Sequence, residues 1–279
     1  MPKISIVLRS RNDAQFAEKT AAAILSQKLA AFEILDFDNA STDGTREIMA
    51  KFPQIRIIDV PEGAYVPGKI LNAAARECSG DIIVFNNCDA VPQNSDWLEN
   101  IARPIIENGA AAVYARQICR HDAEAWVRRD CATAFGDSPM SAEFFSMASS
   151  AARADMFEKY PFDENIKYSE DLQWARRLRA GGLTTAYAPD AITEHSHNYT
   201  LPQIRRRFAG EGTADAEIYG GAQSFLKCVK GLLGAWARDI VFCLKNGATT
   251  EILHCLRVRW AQKISYWSAR KSAAKGGSK

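Results

Sequence analysis

Short apolar runs and helix-spaced segments alternate from the start of the chain. Runs of strand length occupy residues 4–8, 32–37, 55–60, 81–85 and 110–114, and between them residues 15–27, 45–51, 69–78 and 95–107 carry apolar side chains at helical spacing. A strand and a helix recurring about every 25 residues predict an α/β domain, a mostly parallel, doubly wound sheet with helices on both faces. The regularity stops after Arg116. Residues 119–140, with Gly136, Pro139 and many charges, read as an irregular or mobile segment, followed by an apolar run over 144–150 and a short helix over 152–159. A helix over 171–180 is halted by Gly181 and Gly182, and 183–187 supplies one more strand.

Beyond Tyr199 the spacing is helical to the end. Phe225, Val229, Leu232, Leu233, Trp236, Ile240 and Leu244 recur every three or four residues, and Ile252, Leu256, Trp260, Ile264 and Trp267 form a second stripe. Residues 271–279 read as a disordered tail. Composition adds an asymmetry: 221–279 hold eleven basic residues against Asp239 and Glu251, a net of +9 in a chain whose total is only +2. The stripes therefore have two readings, packing within their own domain or resting on an anionic membrane surface. Lys230, Arg238 and Lys245 interrupt the best apolar window, so no segment is expected to span a bilayer. The near balance of charge and the lack of a helix-turn-helix or ribonucleoprotein motif leave nucleic acid out as a partner.

Seven cysteines without a C-x-x-C pair argue against a disulfide framework or zinc knuckle and for a reducing compartment. The apolar run at Ile4 leaves no room for a secretory signal before it. The expected location is the cytoplasm, peripheral at the inner face of the plasma membrane.

In an open parallel sheet, ligands bind outside the carboxyl ends of the strands. There the chain carries Arg9-Ser10-Arg11-Asn12-Asp13, then Asp36 to Thr45, then Asn86-Asn87-Cys88-Asp89. Thr42 and Asp43 suit the capping of the next helix. Asp38 precedes that turn and suits a ligand's N–H or ribose hydroxyl. Asp89 follows an entirely apolar strand and suits a divalent ion on a diphosphate, or a turn before Pro92. Gly68-Lys69 opens a helix whose free N–H groups, with the lysine, suit an anion. Glu170 and Asp171 begin a helix, where the dipole favours acids, and adjacent carboxylates also raise one pKa, as a base requires. His195 and His197, two apart, face the same way in an extended segment, and imidazole suits Mn2+ better than Mg2+.

These segments resemble the family 2 glycosyltransferases of the GT-A fold. FEILDFDNASTDGT over 32–45 is similar to that family's strand followed by D-D-G-S-T-D-G-T, and GDIIVFNNCD over 80–89 to its G-E-x-x-x-F-L-D-x-D strand and metal motif. YSEDLQWARRL over 168–178 matches the acceptor-side E-D motif, and APDAITEHSHNY over 188–199 is similar to the segment bearing the late histidine. With the first strand from Ile4, the motifs run in the family's order to Tyr199. The H-S-H-N-Y ending, Tyr114 to Gln117 and the basic C-terminal helices look closest to the bacterial rhamnosyltransferase-like branch that builds surface polysaccharides. Three positions depart from the pattern: Asn87 stands for the first Asp of D-x-D, Asn39-Ala40 for D-G, and Arg9 for a common proline.

The resemblance implies a Rossmann-like GT-A domain over 1–205, its nucleotide-sugar half over about 1–116 and acceptor half over about 117–205, with a basic helical extension over 206–279. It implies that Asp38 binds the nucleoside, with Ser10, Arg11, Lys69 and Asn87 also on the donor. Asp89 holds a divalent metal (Mn2+ or Mg2+) with His195 or His197. Asp171 is the general base and Glu170 positions acceptor or base. The implied reaction is an inverting transfer of rhamnose or another hexose from a nucleoside-diphosphate sugar to a glycan or lipid-linked oligosaccharide. A homo-oligomer is compatible with it. Of the competitors, a nucleotidyltransferase would need a glycine-rich loop after the first strand, and residues 9–13 contain no glycine. The other alternative is a catalytically weak sugar-nucleotide-binding protein or a scaffold of a polysaccharide assembly complex, which Asn87 makes plausible.

Overall fold

Alternation along β1 (Ile4–Ser10) shows how the sheet is covered: Ile4, Ile6 and Leu8 enter one buried cluster and Val7 the other. The structure, a computed structural model, describes residues 2–31, 33–60, 65–138 and 140–276. Phe32 of the second expected strand, Pro139 of the expected irregular stretch and residues 277–279 of the expected tail lie outside them. Contacts divide the chain into two compact units, Met1–Ile118 with Ala134–Asn165 and Glu170–His195, and Cys119–Thr133 with Ile166–Ser169 and Ser196–Lys279.

The first unit is built on an eight-stranded sheet. After β1 come α1 (Ala14–Leu25), β2 (Glu33–Asp38), α2 (Thr45–Met49), β3 (Ile55–Asp59), α3 (Pro67–Glu77), β4 (Ile82–Asn87), the short β5 (Val91–Pro92), α4 (Trp97–Asn108) and β6 (Ala112–Ile118). β7 (Ser149–Arg153), α6 (Asp155–Lys159), α7 (Glu170–Ala180) and β8 (Thr185–Glu194) complete it. Strand order is β3-β2-β1-β4-β7-β6-β8-β5, parallel except where β7 lies between β4 and β6 and where β5 meets β8. One face packs on α1 and α4 through Ala17, Ala21, Trp97 and Ile101; the other packs on α3, α6 and α7 through Leu71, Phe157, Trp174 and Leu178. This is the mostly parallel, helix-flanked sheet that the alternating pattern predicts.

Two local expectations change. Ser149 to Ala152, read as the end of an apolar run and the start of a helix, form β7. Their small side chains show no strand pattern of their own, and pairing to β4 and β6 on both sides makes them a strand. Within the stretch read as irregular, α5 (Ala125–Ala134) is a regular helix belonging almost wholly to the second unit. Its charged residues hid it, because they are paired inside the unit.

The second unit joins α5 to α8 (Leu201–Tyr219), α9 (Phe225–Lys245) and α10 (Ile252–Gly276), matching the helical spacing after Tyr199. Its core is Trp126, Val127, Ile204, Cys243, Cys255, Val258 and Ala261. Gly212 lets α8 meet α10, since a Cβ there would sit 2.4 Å from the Tyr266 carbonyl oxygen. Arg259 donates to both oxygens of Asp239 at 2.7 and 2.8 Å and to both of Asp130 at 2.7 and 2.9 Å, and Arg129 pairs with Asp239 at 2.6 Å. Of the stripe residues on α9, Leu232 is buried and Trp236 packs on the core. The outward apolar side chains are Phe225, Leu226, Leu233, Val241 and Leu244. All seven cysteines are unbridged.

Candidate active site

The carboxyl ends of β1 and β2 bring acids and a hydroxyl together. Register pairs Ser10 with Asp38 and Leu8 with Asp36, so Ser10, Asp36 and Asp38 share one face of the sheet. Ser10 Oγ donates to Asp36 Oδ1 at 2.8 Å and lies 3.4 Å from Asp38 Oδ1. Asp38 also accepts from the Ser41 amide at 3.2 Å, so it fixes the turn that follows as well as lying at the rim. Arg46 approaches Asp38 at 3.8 Å. Asp36 is fully buried and its Oδ2 has no hydrogen-bond partner. Burial pushes its carboxyl up to about 7, opposed by the Ser10 hydrogen bond and reinforced by Asp38 and Asp13.

The neighbouring turn is structural. Asp43 accepts from Thr45 at the start of α2 and from the Ala14 amide at the start of α1, and the Thr45 hydroxyl, ahead of the other contacts, holds its carboxyl below the usual range. Ala40, standing for a glycine of the motif, has φ 52°, the left-handed region that favours glycine. Arg11 and Lys69 are exposed. Gly68 beside Lys69 serves packing, because a Cβ there would lie 2.5 Å from the Asp163 carbonyl oxygen.

Asp89 follows β4 and is buried, and His195 follows β8, its Nε2 3.5 Å from Asp89 Oδ2. A register shift between Ala115 and Arg116 sets Gln117 opposite Thr193 and Ile118 opposite Glu194, and the His195 amide then donates to the Ile118 carbonyl. Gln117 Nε2 donates to Ser146 Oγ, which turns Oε1 towards His195 Nδ1 at 2.8 Å. An oxygen there must accept the Nδ1 proton, so Nε2 faces the Asp89 carboxylate. A lone pair facing a carboxylate is favourable only with a proton or cation between them. An oxygen and an imidazole nitrogen so disposed fit a divalent metal such as Mn2+. His197 lies in the second unit, where its ring stacks on Tyr199 at 5.0 Å.

Asp171 begins α7 on the opposite face of the sheet from Ser10. Its Oδ2 accepts from the Met147 amide at 3.3 Å and its Oδ1 from the Leu172 amide at 2.8 Å, which leaves the carboxylate tethered at a helix start. Glu170, next to it, is half-buried. On that face Arg9 Nη2 donates to Asn87 Oδ1 at 2.5 Å and to the Met147 carbonyl at 3.1 Å. Asp36, Gln117, Met147 and Arg9 were not among the expected site residues. Only Asp36 and Arg9 carried a signal, each a charge at the end of an apolar run.

Residues 5–162, more than half of the chain, match the sequence profile described as Glycosyl transferase family 2. This chain belongs to that family. The glycosyltransferase is 28% identical over 255 residues to the O-antigen chain rhamnosyltransferase WbaN of Salmonella anatum, covering 84% of this chain and 78% of the relative. It is 26% identical over 288 residues to the O-antigen chain rhamnosyltransferase RfbN of Salmonella typhimurium strain LT2, covering 95% and 88%. Among solved structures it is similar to the mannosyltransferase PcManGT of Pyrobaculum calidifontis in complex with GDP-Man and Mn2+. That match has a TM-score of 0.67 and 17% identity and covers all of this chain and 88% of the other. It is also similar to S. aureus TarS 1–349 in complex with UDP-GlcNAc, with a TM-score of 0.58 and 14% identity over 98% and 92%. At these identities the structural likeness speaks for the fold alone, and that fold is GT-A.

Proposed function

We propose that this glycosyltransferase moves a hexose, rhamnose in the first instance, from a nucleoside-diphosphate donor to a hydroxyl of a glycan or lipid-linked acceptor in surface polysaccharide synthesis. The reaction is a single displacement with inversion. The observation that carries the reading is the Asp89–His195 pair, 3.5 Å apart with its imidazole oriented by Gln117, in a unit that also tethers Asp171 to the Met147 amide. The names of the O-antigen relatives support the sugar and the acceptor class.

Asp38, with Ser10, receives the nucleoside, and Asn87, Arg11 and Lys69 contact the rest of the donor. Asp89 and His195 would hold a divalent metal, which would supply positive charge to the departing diphosphate. Asp171 takes the proton of the acceptor hydroxyl as its oxygen attacks the anomeric carbon, and Glu170 orients acceptor or base. The Met147 amide hydrogen bond keeps the Asp171 carboxylate in one orientation.

The acceptor of such a pathway is presented at a membrane, and no helix of the described residues is long and apolar enough to cross one. The outer face of α9 offers a way to stay beside it. Leu226, Leu233 and Leu244 are 63%, 53% and 61% exposed, Lys227, Lys230, Arg238 and Lys245 accompany them, and the helix's one acid, Asp239, is buried on the other side. That pattern fits an anionic leaflet at the inner face of the plasma membrane. Because α9 and α10 also form the core of the second unit, surface substitutions and not deletion test it. Leu226→Asp with Leu244→Asp should abolish flotation with anionic vesicles and leave the melting curve intact.

Transfer is tested by incubating the protein with dTDP-, UDP- and GDP-hexoses and a lipid-linked acceptor in Mn2+, with the product's anomeric configuration read by NMR. Inverted product supports the reading. Retained configuration rejects the single displacement. Binding without transfer or hydrolysis favours the non-catalytic alternative, for which Asn87 in the metal motif speaks.

A further inference from the structure

Arg9 ends β1 opposite Asn87 of β4, on the face of the sheet that packs against α7. Its two acceptors, Asn87 Oδ1 and the Met147 carbonyl, are both neutral. No carboxylate of the described residues pairs with the guanidinium, and Nε is buried without a hydrogen-bond partner. A cation drawn partly out of water without a counter-charge is costly, and an anion offsets that cost. Asn87 adds to this. An arginine can only donate, so the asparagine must turn its oxygen to Arg9 and keep Nδ2 as a donor. Where an acidic group usually stands in the motif, this chain presents donors to the rim.

We propose that Arg9, with the Asn87 amide beside it, binds the donor's diphosphate directly and supplies part of the charge neutralisation that a metal would otherwise supply alone. This rests on the nucleotide-sugar reading above. A guanidinium suits that role, because its planar donors match phosphate oxygens in pairs and it stays charged at every working pH. Charge grows on the diphosphate as the glycosidic bond breaks, so a fixed cation there favours the transition state. Met147 joins both sides of the reaction through its two flanking peptide groups, its carbonyl accepting from Arg9 and its amide donating to Asp171. The leaving-group ligand and the base are thereby both anchored on the backbone of one residue.

The test is titration calorimetry of the full chain with UDP, GDP and dTDP and with the matching nucleosides, in Mn2+ and in EDTA. Wild type should bind a nucleoside diphosphate measurably even in EDTA. Arg9→Gln should weaken that diphosphate about 10- to 100-fold in both conditions, as expected for loss of a charged hydrogen-bond partner, and leave nucleoside binding unchanged. Arg9→Lys should recover part of the loss, and Asp89→Asn should remove only the Mn2+-dependent share. Unchanged diphosphate affinity in Arg9→Gln, or equal weakening of nucleoside and diphosphate, overturns the proposal. Should Arg9→Gln fail to melt cooperatively, Arg9→Lys decides: no selective loss of diphosphate affinity overturns it. Wild type that binds none of these ligands overturns the donor reading itself.

Discussion

Asp36 in the first unit and Asp239 in the second are carboxylates almost wholly removed from solvent, and their surroundings differ. Asp239 receives Arg259 on both oxygens and Arg129 on one, and Arg259 extends the network to Asp130 and Gln262. Asp36 receives one hydroxyl, has a second oxygen without a partner, and lies near Asp38 and Asp13. The same contrast separates two arginines. Arg259 is enclosed by acids that, against the cost of burial, hold its pKa up, whereas Arg9 meets only neutral oxygens. Full compensation stabilises a fold and leaves nothing to react. Incomplete compensation costs stability and persists where a ligand completes it, which is why the rim of the first unit reads as a site and the interior of the second as a clasp.

Substitutions on each side should break this contrast in different observables. The largest effect is expected at the site: Asp171→Asn should lower the transfer rate about 10²- to 10⁴-fold by removing the proton acceptor, with donor affinity and melting temperature near wild type. Turnover close to wild type would remove Asp171 from the mechanism. In the clasp the reverse holds. Arg259→Met leaves Asp239 and Asp130 without their main counter-charge and should cost about 3–5 kcal/mol in denaturant unfolding, seen chiefly in the second unit.

Asp36 sharpens the comparison through pH. Its carboxyl is raised from 3.8 to about 7 by burial, so between those values the folded protein holds a proton that the unfolded chain has released. Stability therefore falls as pH rises through that window, opposite to the usual salt-bridged aspartate. Asp36→Asn should abolish the decline and be about 2–4 kcal/mol more stable than wild type at pH 8, with little difference at pH 4, by urea unfolding at the two pH values. A parallel decline in both proteins would place the titration elsewhere. The smallest effect is at Ala40. Ala40→Gly relieves a left-handed φ of 52° and should raise stability by about 1 kcal/mol, and a loss instead would mean that the turn is not strained.

Much of the first unit was legible in the chain because its strands are buried on both faces and its helices on one, so their apolar patterns survive in the sequence. Asp38 and Asp89 stood out for the complementary reason, each a polar group at the end of an apolar strand, and Asp171 stood out through the family's E-D motif at a helix start. β7 and α5 were not. Ser149 to Ala152 carry no strand signature and take their form from two neighbours, and the charges of α5 looked solvent-exposed although Asp130 and Arg129 are bound by partners more than a hundred residues away.

The sequence by itself determined the α/β alternation, the acids at the strand ends, the basic helical end and the motifs that mark the family. Those features are local, set by spacing and by the chemistry of neighbouring residues. Tertiary structure decided which groups meet. A register shift in β6 and β8 gives His195 its orienting Gln117; the juxtaposition of β1 and β4 makes Asn87 an arginine's partner; and helix packing hides Leu232 while leaving Leu226 and Leu244 outward. Such pairings depend on strand register and helix rotation, which are fixed only when distant segments bury their apolar faces together.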